Sequence, residues 1–157
     1  MTNGKRNRSA GNGWERELAE LFRTLGFPYV VTTRSESRSR DAQKIDLMNR
    51  DERVNGRFPY NIQAKNTTNH LKYGKVMAEM ATTPGIINVI LHKQTEKSGT
   101  RFICKDKFAI LKMDDFINIV KRLKGYEELI KGTTVNLAEE EDDDEDDDVP
   151  DMDNSFL

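Results

Sequence analysis

Two stretches of alternating residues, separated by a turn signal, constrain this chain more than anything else in it. In Gln43–Asn49, Ile45 and Leu47 point one way, and Lys44, Asp46 and Met48 the other. In Phe58–Lys65, Phe58, Tyr60, Ile62 and Ala64 share one face, and Asn61, Gln63 and Lys65 the other. Asn55-Gly56 lies between them, a dipeptide that tolerates the positive φ of a tight hairpin turn. A helix cannot sustain a side-chain period of two. The chain must therefore build neighbouring strands that bury one apolar face. Asp46, Gln63 and Lys65 gather on the polar one.

The flanking segments read as helices and further strands. Trp14, Leu18, Leu21, Phe22 and Leu25 fall on one helical stripe over 13–25, with Asn12 placed as N-cap and Gly26 as stop. At 100° per residue, Glu15 lies about 20° from Phe22, at the edge of that stripe, whereas Glu20 falls on the solvent side. Pro28–Arg34 is β-prone, and residues 70–82 carry a partial helical stripe of Leu71, Val76, Met77 and Met80. Ile86–His92 reads as a buried strand, and Thr100–Cys104 and Phe108–Leu111 as short ones. Asp114–Lys124 has helical period (Phe116, Ile117, Val120, Leu123), with Asp114 as cap, Gly125 as end, and one more turn over 126–131. The order α-β-β-β-α-β-β-β-α predicts an α/β domain: a mixed β-sheet flanked by helices. Three regions are expected: a flexible basic arm over 1–12, a domain over 13–132, and a linker with a disordered acidic tail over 133–157.

Charge is divided between these regions. Residues 139–157 hold 12 of the 27 acids and no Lys or Arg, which leaves the body 25 bases against 15 acids, or +10. A body of that charge suits a polyanion, most often nucleic acid, although the total is only −2. No apolar run is long enough to span a bilayer, and the polar, basic N-terminus is no secretory signal, so no membrane partner is expected. A lone Cys104 excludes an intrachain disulfide and a cysteine-based zinc site. His70 and His92 read as incidental, and Trp14 as core or dimer packing rather than a base-stacking wedge.

The polar strand face carries the chemistry. Hard cations such as Mg²⁺ take oxygen ligands and usually only one or two carboxylates. Asp46 and Glu15 supply carboxylates, Gln63 an amide oxygen, and Ala64 a backbone carbonyl. Lys65 shares the face of Gln63 and could orient a nucleophilic water, help deprotonate it, or stabilise charge on a phosphorane. That set describes phosphodiester hydrolysis. The segment over 34–44 is a polar, basic loop, in which Arg34, Ser35, Ser37, Arg38, Arg40 and Lys44 suit phosphate contacts.

These residues, in this order, resemble the PD-(D/E)xK nuclease superfamily, and most closely the Holliday-junction resolvases of archaea and their phage relatives. The resemblance runs over about residues 11–112 through Gly11-Asn-Gly-Trp-Glu15-Arg-Glu-Leu, Leu25-Gly26-Phe27, Ile45-Asp46-Leu47, Ile62-Gln63-Ala64-Lys65 and Leu71-Lys72-Tyr73. It implies a restriction-endonuclease-like sheet, usually dimeric. It further implies Glu15, Asp46 and Gln63 as ligands of Mg²⁺ (or Mn²⁺) and Lys65 as the catalytic lysine. Arg8, Arg16, Lys72, Tyr73 and Lys75 would join the loop in binding DNA. The implied setting is the cytoplasm of a bacterial or phage-infected cell, at the nucleoid. Gln63 departs from the family's glutamate and resembles the Gln-x-Lys variant of Mrr-like restriction nucleases. Asp41 or Glu36 could compensate for the missing charge.

Three functions stay open at this point. One is a structure-selective endonuclease that cuts branched DNA as a homodimer. The second is a restriction- or repair-type endonuclease of duplex DNA. The third is a DNA-binding replication or recombination accessory that Gln63 has left catalytically weak. The tail, ending Asn154-Ser155-Phe156-Leu157, loosely resembles the C-terminal tails of single-stranded DNA-binding proteins. It is expected to dock a replication or recombination protein, to compete with DNA for the basic body, or only to solubilise the chain.

Overall fold

The computed structural model describes residues 3–50 and 58–140. The expected Asn55-Gly56 turn and the acidic tail from residue 141 lie outside the described residues, as does the side chain of Ser35. The chain divides into two compact units, Met1–Asp115 and Phe116–Leu157.

The first unit is α/β. Helix α1 (Asn3–Thr24) leads into β1 (Val30–Thr32), the short helices α2 (Thr33–Glu36) and α3 (Arg38–Ala42), β2 (Leu47–Asn49) and β3 (Tyr60–Thr67). Helix α4 (Tyr73–Glu79), β4 (Ile87–Ser98) and β5 (Arg101–Ile110) follow. The five strands form one mixed sheet in the order β1-β2-β3-β4-β5. β3 and β4 are parallel, joined through α4, and the other neighbours are antiparallel. The antiparallel β2–β3 pair is what the two alternating stretches require.

Burial does not stop at the apolar face: Asp46, Asn61 and Gln63 of the polar face are buried as well, and Tyr60 and Ala64 are only half-buried. Ile45, Leu47 and Ile62 are buried with Val30, Leu18 and Trp14. Trp14 is core: its indole N–H donates to the carbonyl of Leu91 at 3.0 Å, tying α1 to β4. Phe22, Phe27, Phe58 and Tyr60 pack ring against ring, edge-on in most pairs, closing the end of α1 on the start of β3. Met77 of α4 and Met80, just past its end, pack on Ile90 of β4.

Several sequence expectations change. The basic arm expected over 1–12 is helical from Asn3 onward, so α1 does not begin at Gly13 and Asn12 is not its N-cap. No proline interrupts 3–24, and Gly4, Gly11 and Gly13 weaken a hydrogen-bond ladder without breaking it. The basic loop over 34–44 folds into α2 and α3, and Ser37 caps α3 by accepting from the Arg40 N–H. The two strands expected over 100–111 are one strand, β5. Lys105-Asp106-Lys107 looked like a break, but it pairs with β4, which absorbs the irregularity as a register shift at Gln94/Thr95. Gly99 turns this hairpin at φ +59.

The described residues of the second unit, 116–140, are helical. α5 (Met113–Glu140) begins just ahead of it and runs through Gly125 and Gly132, past the stop expected at Gly125. A glycine ends a helix by taking positive φ, and Gly125 does not, whereas Gly26 does so at +96. Residue 132, the expected end of the domain, lies inside this helix. No described helix is long and apolar enough to cross a membrane.

Candidate metal and phosphodiester site

Asp46 sits where β2 and β3 part. The two strands register only at Leu47↔Ile62. Just beyond, the Asp46 N–H donates to the Ile62 carbonyl at 2.7 Å, and its own carbonyl accepts from the Thr33 N–H at 2.9 Å. The carboxylate then takes over the role of the departing strand. Asp46 Oδ2 accepts from the Ala64 N–H at 2.7 Å and from the Gln63 amide at 2.5 Å. An aspartate is a poor strand residue in general, but here it satisfies a backbone donor that strand divergence would orphan.

Glu15 reaches the same place from α1. The helical phase that put it at the edge of the apolar stripe leaves it 3% exposed, against 4% for Asp46. Arg34, in α2, places Nη2 2.9 Å from Glu15 Oε1. Burial first, and then the nearby Asp46, push the Glu15 carboxyl up to about 7. The Arg34 charge and hydrogen bond oppose this, while Asp41 adds a smaller upward push. Asp46 is also raised by burial, against the Ala64 N–H, Lys65, Gln63 and Arg34, which all favour its anion. Two buried carboxylates are thus both held above their ordinary range, and the cations near them do not offset the burial.

A cleft of about 330 Å³ opens beside Glu15, lined by Asn12, Glu15, Arg16, Thr32 and Arg34. Of the residues read as DNA contacts, it gathers Arg16 and Arg34. Arg8, Arg38, Lys44, Lys72 and Lys75 are exposed and do not line it, and Arg40 is half-buried. Glu36, one candidate to replace the missing acid, pairs with Arg50 at 2.6 Å. Among the described residues no cluster of three His, Cys, Asp or Glu side chains is present. Gln63 offers Asp46 its amide N–H.

A buried histidine adjoins this face and was missed as a participant. His92 is 1% exposed and is the register partner of Lys65. The Thr67 hydroxyl donates to the Asn69 carbonyl at 2.9 Å, so its oxygen must accept from His92 Nε2, 2.9 Å away. His92 Nδ1 is then the acceptor for the Tyr73 hydroxyl at 3.0 Å. This directed chain ties α4, β4 and the end of β3 together. It also commits Tyr73, read as a DNA contact, to the interior. Burial lowers the His92 pKa, which keeps the ring neutral. The sequence signal was available: His92 directly follows the apolar run Val89-Ile90-Leu91.

No known protein-family model, curated protein or solved structure matches this chain.

Proposed function

We propose that the chain is a divalent-cation-dependent endodeoxyribonuclease of the PD-(D/E)xK kind, with a restriction-endonuclease-like fold. It acts on branched DNA as a homodimer. One observation carries this reading: two carboxylates, Glu15 from α1 and Asp46 from the strand edge, are both buried, with Asp46 near enough to raise the Glu15 carboxyl and Lys65 near enough to Asp46 to favour its anion. Structural ion pairs rarely bury two acids together. A hard cation relieves their mutual cost, and the donor set suits Mg²⁺ or Mn²⁺.

Glu15 and Asp46 would hold the cation, with the Gln63 amide oxygen and the Ala64 carbonyl as neutral donors. When bound, the cation supplies Lewis acidity, acidifying water and drawing charge from phosphoryl oxygens. Lys65, close enough to Asp46 to favour its anion, places a positive charge where the transition state gathers negative charge. Arg16 and Arg34 supply donors for phosphate oxygens at the cleft. The dimer rests on α5. Met113, Phe116, Ile117, Val120, Leu123 and Ile130 share one helical face and are 42–70% exposed. Two copies related by a twofold axis would bury that face and offer two cutting sites.

A second reading has support from Gln63. Its N–H donation to Asp46 favours a site that neutralises itself and binds DNA without cutting. The deciding experiment incubates four-way junctions, flaps and plain duplex with the protein and Mg²⁺. Junction cutting that falls about 10²–10⁴-fold in Lys65→Ala and Asp46→Asn supports the nuclease. Preferential duplex cutting moves the assignment to a restriction or repair enzyme. Tight, salt-sensitive binding with no cutting supports the accessory. Cutting untouched by both variants refutes the site.

A further inference from the structure

We propose that Asn12 is a further oxygen donor of the cation site, reaching the cation directly or through one water of its hydration shell. This rests on the cation reading above and names a residue that reading does not use.

The observation is an orphaned atom. Asn12 Oδ1 is buried and, among the described residues, has no hydrogen-bond partner. A buried acceptor without a donor is costly, and chains keep few of them. Its expected role gives no account of it. An N-cap asparagine accepts from the first turn's N–H groups, but α1 starts at Asn3, so Asn12 sits two turns inside. Asparagine is also a poor interior helix residue, so propensity does not explain its presence.

Its surroundings say what it is for. Asn12 lies three residues before Glu15, on the same helical face, and lines the same cleft. Two guanidinium groups line that cleft as well, yet neither satisfies Oδ1; Arg34 is engaged with Glu15 instead. An amide oxygen accepts and cannot donate. Its partner must therefore be a cation or a group carrying a proton, and a phosphate oxygen is excluded. A hydrated divalent cation at Glu15 meets that need and is the species the two carboxylates call for. The donor count agrees. Gln63 leaves the site one charge short, and Mg²⁺-type sites are completed by neutral oxygens and retained waters. Partners of that kind typically matter 10–100-fold in metal affinity.

The test measures Mn²⁺ binding to the full chain by calorimetry, with melting temperature in EDTA as the companion readout. Asn12→Ala should weaken Mn²⁺ binding by about 10-fold. In EDTA the same variant should melt at or above the wild-type temperature, because the orphan is gone. A side chain kept for the fold alone would lower the melting temperature and leave Mn²⁺ affinity alone. Asn12→Asp should bind Mn²⁺ more tightly than the wild type. Glu15→Gln serves as the reference loss. If Glu15→Gln abolishes Mn²⁺ binding while Asn12→Ala and Asn12→Asp match the wild type, the role of Asn12 is overturned and the cation site stands. If the wild type binds no Mn²⁺ at all, both are overturned.

Discussion

Replacing Glu15 by glutamine should stabilise the cation-free protein at alkaline pH, although it removes an ion pair. Burial and Asp46 raise the Glu15 carboxyl from 4.5 to about 7, with the Arg34 pair already opposing them. The folded state therefore binds the proton more tightly than the unfolded one. Between those values the native protein carries more protons, so stability falls as pH rises from about 4.5 through 7 and is lowest above that window. At 1.36 kcal/mol per unit, the charged carboxylate costs roughly 3 kcal/mol at pH 8. Glutamine has nearly the shape of the protonated acid and carries no such cost. At about 2–4 °C per kcal/mol, Glu15→Gln should raise the melting temperature at pH 8 in EDTA by roughly 6–12 °C.

The assay is a set of thermal melts from pH 4.5 to 8.5 in EDTA, repeated with Mg²⁺. His92 works in the opposite sense: its lowered pKa means that stability falls as pH drops below about 6.5. The difference between Glu15→Gln and wild type cancels that contribution. The difference should be near zero at the acid end and grow with pH. Saturating Mg²⁺ should close it from the other side, by stabilising the wild type at pH 8 and not the variant. A gain that does not vary with pH, or a variant less stable than wild type at pH 8, would refute the argument that two crowded carboxylates lie at the heart of the site.

Further tests follow from the same geometry. His92→Phe leaves the Tyr73 hydroxyl and the Thr67 oxygen without partners, and should cost about 1–3 kcal/mol in urea unfolding; an unchanged midpoint would mean that the hydrogen-bonded chain is idle. Val120→Glu, in the middle of the exposed face of α5, should shift sedimentation from dimer to monomer while the far-ultraviolet spectrum stays helical. Arg34→Ala removes a phosphate donor and a competitor for Glu15. It should lower the salt slope of DNA binding by about 1 and, at pH 8.5, tighten Mn²⁺ binding; loss of both would make Arg34 a purely structural partner.

The legible part of this fold is the part with a strong period. Alternation marked β3 and only the last three residues of the stretch that became β2, since Gln43 caps a helix and Lys44 turns at φ +59, and the phase of α1 placed Glu15 at the boundary it occupies. Where the pattern was weak, the outcome depended on partners remote in sequence. Lys105-Asp106-Lys107 has no strand signal of its own, yet it extends β5 because β4 supplies a ladder. Asn3–Asn12 lacks an apolar stripe, yet it is helical and held by the Asn66 amide donating to the Ala10 carbonyl at 3.2 Å. The ends of α5 moved because a glycine stops a helix only if its backbone turns left-handed, and composition does not report that.

The candidate site was legible in its members and not in its electrostatics. Pattern named Glu15, Asp46, Gln63 and Lys65, but residue type alone made Gln63 a ligand and Arg34 a DNA contact. In the fold both have protein partners that residue type does not report. Arg34 neutralises Glu15, while Gln63, Lys65 and the Ala64 N–H favour the Asp46 anion. A cation entering this site competes with each of them. Its affinity is then set by how well these groups are redirected, Arg34 toward phosphate above all, and only secondarily by the number of acids. On that account DNA and cation reinforce each other: a phosphate that draws Arg34 away from Glu15 frees an oxygen for the metal. A site short of one carboxylate can therefore stay weakly loaded alone and fill when substrate arrives. Two binding free energies coupled in this way must be reciprocal, so Mn²⁺ should tighten DNA by the same factor that DNA tightens Mn²⁺.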